Sequence, residues 1–353
     1  MANIEIAGRK IGEGCPPYVI AELSANHNGS IDTAMRIVDA ARSAGADAIK
    51  LQTYKPETIT LDSSHPDFQI HGGLWDGKTL YELYQWAHMP WEWHKPLFDH
   101  ARRTGITIFS SPFDRTAIDL LEDLNAPAYK IASFEAVDLP LIKYAAGTGK
   151  PLIISTGMAS CEEIEEAIDA ARSGGCRELA ILHCVSGYPA PAEHYNLRTI
   201  GDMVERFGVV AGLSDHTIDN TTAVTSIAMG AAIVEKHVTL DRNGGGPDDS
   251  FSLEPRDLES LVMQVRRSWE ALGRVTYRVQ ESEKANRKFR RSLYVVKPVR
   301  RGEPFTADNV RSVRPGFGLE PKYYESLIGV LAPEDYAAGD PVPRDVLSTH
   351  VKG

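Results

Sequence analysis

The 353-residue sequence predicts a (β/α)8 TIM barrel followed by a small, mostly β domain. Three observations predict it. Short strand-like runs alternate with amphipathic helical segments from residue 17 to about residue 272, the pattern of a parallel sheet with crossover helices. The alternation repeats eight times in a length of roughly 255 residues, the size of such a barrel. Beyond "LESLVMQVRRSWEALG" the helical period stops and short strands broken by turn residues take over. An open doubly wound sheet is the alternative, but no G-x-G-x-x-G follows the first strand.

The elements follow in order. The strands are "YVIAEL" (18–23), "ADAIKLQT" (46–53), "ITIFSS" (106–111), "AYKIAS" (128–133), "PLIIST" (151–156), "LAILHC" (179–184), "VVAGLS" (209–214) and "AIVEKH" (232–237). Helical stretches such as "IDTAMRIVDAARSAG" and "CEEIEEAIDAARSGG" lie between them and run into glycine, a frequent helix C-terminus. The barrel is assigned to residues 1–275, a charged linker overlapping "RVQESEKANRKFRRS" to 276–290, and the small domain to 291–353. From Asn286 onward there are 12 Lys or Arg against 8 Asp or Glu, in a chain whose net charge is −10.

Composition excludes several classes of function. The acidic balance argues against non-specific nucleic-acid binding. The longest apolar runs fall well short of the about 20 residues that cross a bilayer, and "MANIEIAGRKIGEG" lacks a signal pattern, so a cytoplasmic protein with no membrane contact is expected. Cys15, Cys161, Cys176 and Cys184 are too scattered for a thiolate metal site or a disulfide framework.

Barrel chemistry sits at the C-terminal ends of the strands, and polar residues gather there in nearly every unit. The first strand ends near Glu22, Ser24 and Asn26. Lys50 and Gln52 share one face of the second, and the third ends in Ser110 and Ser111. Lys130, Ser133 and Glu135 follow from the fourth, Ser155 and Thr156 from the fifth, and His183, Ser186 and Tyr188 from the sixth. The seventh closes on "GLSDHT" and the eighth on "VEKHVT", which puts His216 and His237 on neighbouring strands 21 residues apart.

Lys50 and Lys130 lie inside apolar strands, where an unpaired ammonium is costly, so an anionic substrate group is their expected partner. With the hydroxyls of Ser133, Ser155 and Ser214 they form a cradle for phosphate or carboxylate, and Ser110 is counted with this substrate-binding set. His216 and His237 are the candidate ligands of a divalent ion such as manganese, with Asp215 able to orient a ring nitrogen. Glu22 and Glu135 are the candidate acid and base. In the glycine-rich "RNGGGPDDSFSLEP", Asp248 and Asp249 are expected to fold over the mouth toward sugar hydroxyls. His65, His71, His88 and His94 are expected to be structural or superficial.

The ordered motifs "IAELSANHNGS", "AIKLQTYKPET", "FSSPFD", "YKIASFEA", "IISTGMAS", "GLSDHT" and "VEKHVTLD", followed by the small β domain, resemble the sialic acid synthase family over nearly the whole chain. "GGLWDGKTLYELY", "WEWH" and "SVRPGFGLEPKYY" look like its pseudaminic branch. So does "AELSANH", which stands where neuraminate-type enzymes carry Ala-Glu-x-Gly-x-Asn-His; the "GPD" of the glycine-rich loop is shared with that neuraminate type. The resemblance implies metal-dependent condensation of phosphoenolpyruvate with 2,4-diacetamido-2,4,6-trideoxy-L-altrose. It assigns phosphoenolpyruvate to Lys50, Lys130, Ser133, Ser155 and Ser214, a Mn2+ or Mg2+ ion to His216 and His237, and the sugar to Gln52, Tyr188 and Asp248. It further implies that the final domain is an antifreeze-like, or SAF, domain that caps the partner's site in a homodimer and delivers Arg314, and that the product serves flagellin or a surface glycan. A neuraminate or legionaminate synthase is the nearest alternative, and a non-catalytic carbohydrate-binding protein the alternative from another class.

Overall fold

The structure is a computed structural model that describes residues 3–348, and the chain divides into two compact units, Met1–Gly273 and Arg274–Gly353. The first opens with an antiparallel hairpin, β1 (Asn3–Ile6) and β2 (Arg9–Gly12). Eight parallel strands then close on themselves: β3 (Tyr18–Glu22), β4 (Ala48–Thr53), β5 (Thr107–Pro112), β6 (Tyr129–Ile131), β7 (Leu152–Ser155), β8 (Leu179–Cys184), β9 (Val210–Asp215) and β10 (Ile233–His237). The closure pairs β10 with β3, from Ile233 opposite Tyr18 to His237 opposite Glu22. All eight expected strands are present, and the barrel expected from the sequence is the fold.

Alternation along the strands separates two cores. Tyr18, Ile20, Ala48, Phe109, Ala128, Ile153, Ala180, Leu182, Val210 and Ile233 pack together in the barrel interior. Ile4, Ile6 and Ile11 of the hairpin join this cluster and stopper the N-terminal end of the barrel. Each isoleucine withdrawn from water there contributes roughly 1.5–3 kcal/mol. The residues in between, such as Val19, Ile49, Ile108, Ile154, Leu213 and Val234, face the helices. In helix Ile31–Ser43 the buried positions Ala34, Ile37, Val38 and Ala41 recur at helical spacing, and Ser30 caps its first turn. Ser160 and Glu163 cap helix Cys161–Ser173 reciprocally. With the bottom sealed, only the C-terminal ends of the strands offer an open mouth.

The second unit pairs β11 (Ser292–Val295) antiparallel with β12 (Val310–Val313) around a small core that includes Leu293, Phe305, Val310, Leu319 and Val342. Nine residues of the expected linker region, Glu281–Phe289, form 3-10 turns. Among the described residues no helix is long and apolar enough to cross a membrane.

Candidate active site

The phase of each strand decides which polar side chain enters the mouth. Inward positions run Tyr18, Ile20, Glu22 on β3 and Ala48, Lys50, Gln52 on β4. By the same alternation Ser111, Lys130, Ser155, Cys184 and Ser214 face inward, and Glu235 and His237 do so on β10. Lys50 and Glu22 lie on adjacent strands in register and pair at 2.6 Å, both almost fully buried. Glu235 sits between the two lysines, 3.3 Å from Lys130 and 3.7 Å from Lys50, and accepts a hydrogen bond from Ser214 Oγ at 3.2 Å. Lys50 also donates to Ser111 Oγ at 3.1 Å. Two ammonium groups and two carboxylates thus share one water-poor floor.

Electrostatics follow from that crowding. Burial pushes Glu22 up to about 7 against the opposing pull of Lys50, and burial likewise lifts Glu135 to about 7. Burial disfavours the Lys50 charge, but Glu22 and Glu235 outweigh it and hold the ammonium above its ordinary range. In Lys130 burial prevails over Glu235 and the shift is downward. Burial works against the Glu235 charge too, yet Lys130 and Lys50 keep it below the usual carboxylate range. Ser155 Oγ, Glu135 Oε2, Glu235 Oε2 and His237 Nδ1 are buried without a hydrogen-bond partner among the described residues. Orphaned polar atoms at the floor of a mouth mark groups that await a ligand.

The imidazoles of His216 and His237 lie 5.3 Å apart between ring centroids. His216 Nδ1 donates to the Val185 carbonyl at 2.9 Å, which leaves its Nε2 as a lone-pair donor. Burial, His216 and the lysines drive His237 well below the ordinary histidine range, so this ring is neutral. Burial opposes the charge on His216, but Cys184 and the Val185 carbonyl outweigh it and hold that ring above the ordinary histidine range, so an ion would have to displace its proton. With both rings deprotonated, the two imidazoles fit two corners of one divalent ion. No third His, Cys, Asp or Glu completes a metal cluster among the described residues, so water and substrate would fill the remaining positions. Asp215, expected to orient a ring nitrogen, instead faces outward and pairs with Lys236 at 2.8 Å, because β9 and β10 turn those two side chains toward the helices.

Loops complete the rim. Gln52 Nε2 donates to Glu22 Oε1 at 3.0 Å and to Ser24 Oγ at 2.9 Å, and Ser24 in turn hydrogen-bonds Asp248. Asp248 reaches to 4.0 Å from His237 Nδ1. Asp249 turns away from the mouth: its carboxylate accepts from Asn28 Nδ2 at 2.9 Å and from the Gly246 amide at 2.8 Å, and so staples the glycine-rich loop. A Cβ on Gly246 would fall 1.9 Å from Asn28 Oδ1, which is why glycine is required there. A Cβ on Gly157 would collide with Ser186 Oγ at 2.3 Å, and the Gly157 amide donates to Ser133 Oγ at 3.1 Å, so the loops after β6, β7 and β8 meet at that glycine. The Tyr188 ring packs on His216 at 4.5 Å and on Phe251 at 5.3 Å.

The structure therefore brings together Glu22, Lys50, Gln52, Lys130, Ser214, His216, His237, Tyr188 and Asp248 by direct contact, with Ser133, Glu135 and Ser155 on neighbouring strand ends. Ser110 departs from expectation. It faces the helices, where it and His94 both hydrogen-bond Thr53 Oγ1, at 2.6 and 2.8 Å, and Ser111 is the inward hydroxyl. Arg314 lies exposed in the second unit. Sequence reasoning passed over Glu235 and chose Ser110 over the neighbouring Ser111; counting alternate residues back from His237 and forward from Phe109 is the signal that finds both.

A family model described as the NeuB family matches residues 37–277, and a SAF domain model matches residues 290–347. The chain is 43% identical to a pseudaminic acid synthase of Helicobacter pylori over 94% of its own length and 97% of that protein. It is 35% identical to an N,N'-diacetyllegionaminic acid synthase of Campylobacter jejuni, over 90% and 96% of the two chains. The crystal structure of the spore coat polysaccharide biosynthesis protein SpsE of Bacillus subtilis superimposes with a TM-score of 0.68 at 34% identity, covering 98% of this chain and 99% of that one.

Proposed function

This chain belongs to the NeuB family, and from that premise we propose that it is a pseudaminic acid synthase, joining phosphoenolpyruvate to 2,4-diacetamido-2,4,6-trideoxy-L-altrose with water to give a nine-carbon 2-keto acid and phosphate. The observation that carries the reading is the single buried floor on which Lys50, Lys130, Glu22 and Glu235 meet beside His216 and His237. The greater identity to a pseudaminate enzyme than to a legionaminate one favours the altrose sugar.

The lysines and the hydroxyls of Ser111, Ser133, Ser155 and Ser214 hold the phosphate and carboxylate of phosphoenolpyruvate and fix its C3 toward the sugar. Gln52, Asp248 and Tyr188 orient the open-chain sugar. His216 and His237 would hold a divalent cation, Mn2+ or Mg2+, which supplies Lewis-acid polarisation of the aldehyde. As C3 forms the new carbon–carbon bond, positive charge grows on C2. The carboxylates of Glu22 and Glu135 stabilise that charge and take the proton of the attacking water. With both glutamates lifted to about 7, either can exchange a proton near neutrality. The hemiketal phosphate then loses phosphate by C–O cleavage.

The second unit carries 15 Lys or Arg against 10 Asp or Glu, while the barrel unit is strongly acidic. Phe134, Val137, Met158 and Ile218 stand exposed on loops at the C-terminal ends of the barrel strands. This complementarity and the apolar rim support a homodimer in which the SAF domain of one protomer caps the mouth of its partner and supplies Arg314. The setting is cytoplasmic, and the product serves flagellin or another surface glycan.

The test is a sugar panel: phosphate release from phosphoenolpyruvate with the altrose sugar, its legionaminate-type counterpart and N-acetylmannosamine. The altrose sugar is expected to show the highest kcat/KM. Preference for another sugar reassigns the branch, and release without any sugar refutes a synthase.

A further inference from the structure

The motif "GGLWDGK" is left without a role by the chemistry above. It forms the tip of a closed turn after β4. Gly72 donates to Asp76 Oδ1 at 2.7 Å, Gly77 to the Ile70 carbonyl at 3.1 Å, and Ile70 to the Lys78 carbonyl at 2.9 Å. Gly72, Gly73 and Gly77 all have positive φ, so the turn is of a kind that glycine adopts without strain. It presents Trp75 to the mouth: the indole lies 6.0 Å from the Tyr188 ring, and its Nε1 donates to the Pro247 carbonyl at 3.2 Å, clasping the turn to the glycine-rich loop.

With the N–H committed to Pro247, the rest of the indole offers only hydrocarbon. Trp75, Tyr188 and the buried Phe251 make an aromatic wall. Beside this wall, Glu22, Gln52, Ser24 and Asp248 are joined by hydrogen bonds into a polar rim. A mouth with one apolar corner fits a sugar with one apolar end. An extended six-carbon chain spans roughly 6 Å from C1 to C6, given C–C bonds near 1.5 Å. Tyr188 packs on both His216 and Trp75, at 4.5 and 6.0 Å between centroids, so the ring links the histidines to the indole over a span of the order of that chain.

We infer that Trp75 is a specificity-determining residue that receives the C6 methyl group of a 6-deoxy sugar and disfavours a 6-hydroxyl. This rests on the synthase reading above. An apolar pocket rejects an added hydroxyl only modestly, about 10- to 100-fold, because the hydroxyl must be buried without a partner.

The experiment compares kcat/KM for 2,4-diacetamido-2,4,6-trideoxy-L-altrose and its 6-hydroxy counterpart in the wild type, Trp75→Ala and Trp75→Phe. The wild type is expected to prefer the 6-deoxy sugar about 10- to 100-fold. Trp75→Ala should bring the ratio to within about 3-fold by losing activity on the 6-deoxy sugar, with KM for phosphoenolpyruvate unchanged, and Trp75→Phe should retain most of the preference. Equal losses on both sugars, or no preference in the wild type, overturn the assignment. If the wild type uses N-acetylmannosamine instead of either altrose sugar, the branch reading fails by itself. The same comparison is then made with N-acetylmannosamine and its 6-deoxy analogue, where a ratio insensitive to Trp75→Ala overturns the role of the indole.

Discussion

Ser24 has φ +49°, a left-handed backbone that L side chains avoid, yet it carries a side chain buried in the mouth. For a residue with a Cβ that conformation costs about 1–2 kcal/mol. Offsetting it, Ser24 Oγ accepts from Gln52 at 2.9 Å and bonds Asp248, two contacts of about 1 kcal/mol each. Ser24→Gly loses both bonds and leaves Gln52 and Asp248 short of a partner but relieves the backbone, so it costs about 0–2 kcal/mol. Ser24→Ala loses both bonds, keeps the strained backbone and leaves Gln52 and Asp248 short of a partner, at a cost of about 2–3 kcal/mol. Glycine should therefore be more stable than alanine at this position by about 1–2 kcal/mol, reversing the order usual elsewhere. The assay is denaturant unfolding of the two variants beside the wild type, followed by the barrel transition. Both variants should also show a raised KM for sugar with KM for phosphoenolpyruvate unchanged, since the brace lies on the sugar side. Alanine as stable as glycine, or more so, would refute the reasoning.

Three further outcomes follow from the buried charges and the assembly. Glu235→Gln leaves the two lysines under-neutralised and should destabilise the apoprotein by about 3 kcal/mol; inorganic phosphate should recover more stability in the variant than in the wild type, and equal phosphate shifts in melting temperature contradict the counter-ion role. Glu135 ionises near 4.5 in the unfolded chain and near 7 in the folded one, so the folded state binds more protons between those values and its stability falls as pH rises from about 4.5 to 7. Glu135→Gln removes that loss and should be more stable than the wild type above pH 7, by about 2 kcal/mol after discounting for partial exposure, while losing turnover; melts showing parallel pH profiles in the two proteins would sink the assignment. His237→Ala and Arg314→Ala should each be inactive with the barrel folded, and mixing them after dissociation should restore activity to about a quarter of the wild-type sites, whereas no recovery speaks against a shared site.

The barrel was legible because each strand reads as an apolar run that ends in polar residues, and because glycines and caps such as Ser160 with Glu163 punctuate the helices. The lysine pair, the histidine pair and Glu22 were legible for the same reason: they interrupt strands where burial demands a partner. What was lost is the phase of alternation. Ser110 and Ser111 are adjacent and chemically identical, and only Phe109 in the interior core fixes which one looks inward. Glu235 precedes the conspicuous Lys236 and His237, and its role depends on two lysines from other strands. Asp248 and Asp249 likewise look equivalent until the loop closes and Asn28 claims the second. The hairpin β1–β2 has only four residues per strand, too few to show a period, and its three isoleucines acquire meaning only as a stopper for the barrel.

The most direct measurement of the central claim uses phosphoenolpyruvate labelled with 13C at C3, incubated with the altrose sugar and a divalent cation and followed by carbon NMR. The label should move into a methylene bonded to the former aldehyde carbon of the sugar, one phosphate should be released per product, and the signal should vanish in Lys130→Ala. Labelled pyruvate, or phosphate without a new carbon–carbon bond, would contradict it.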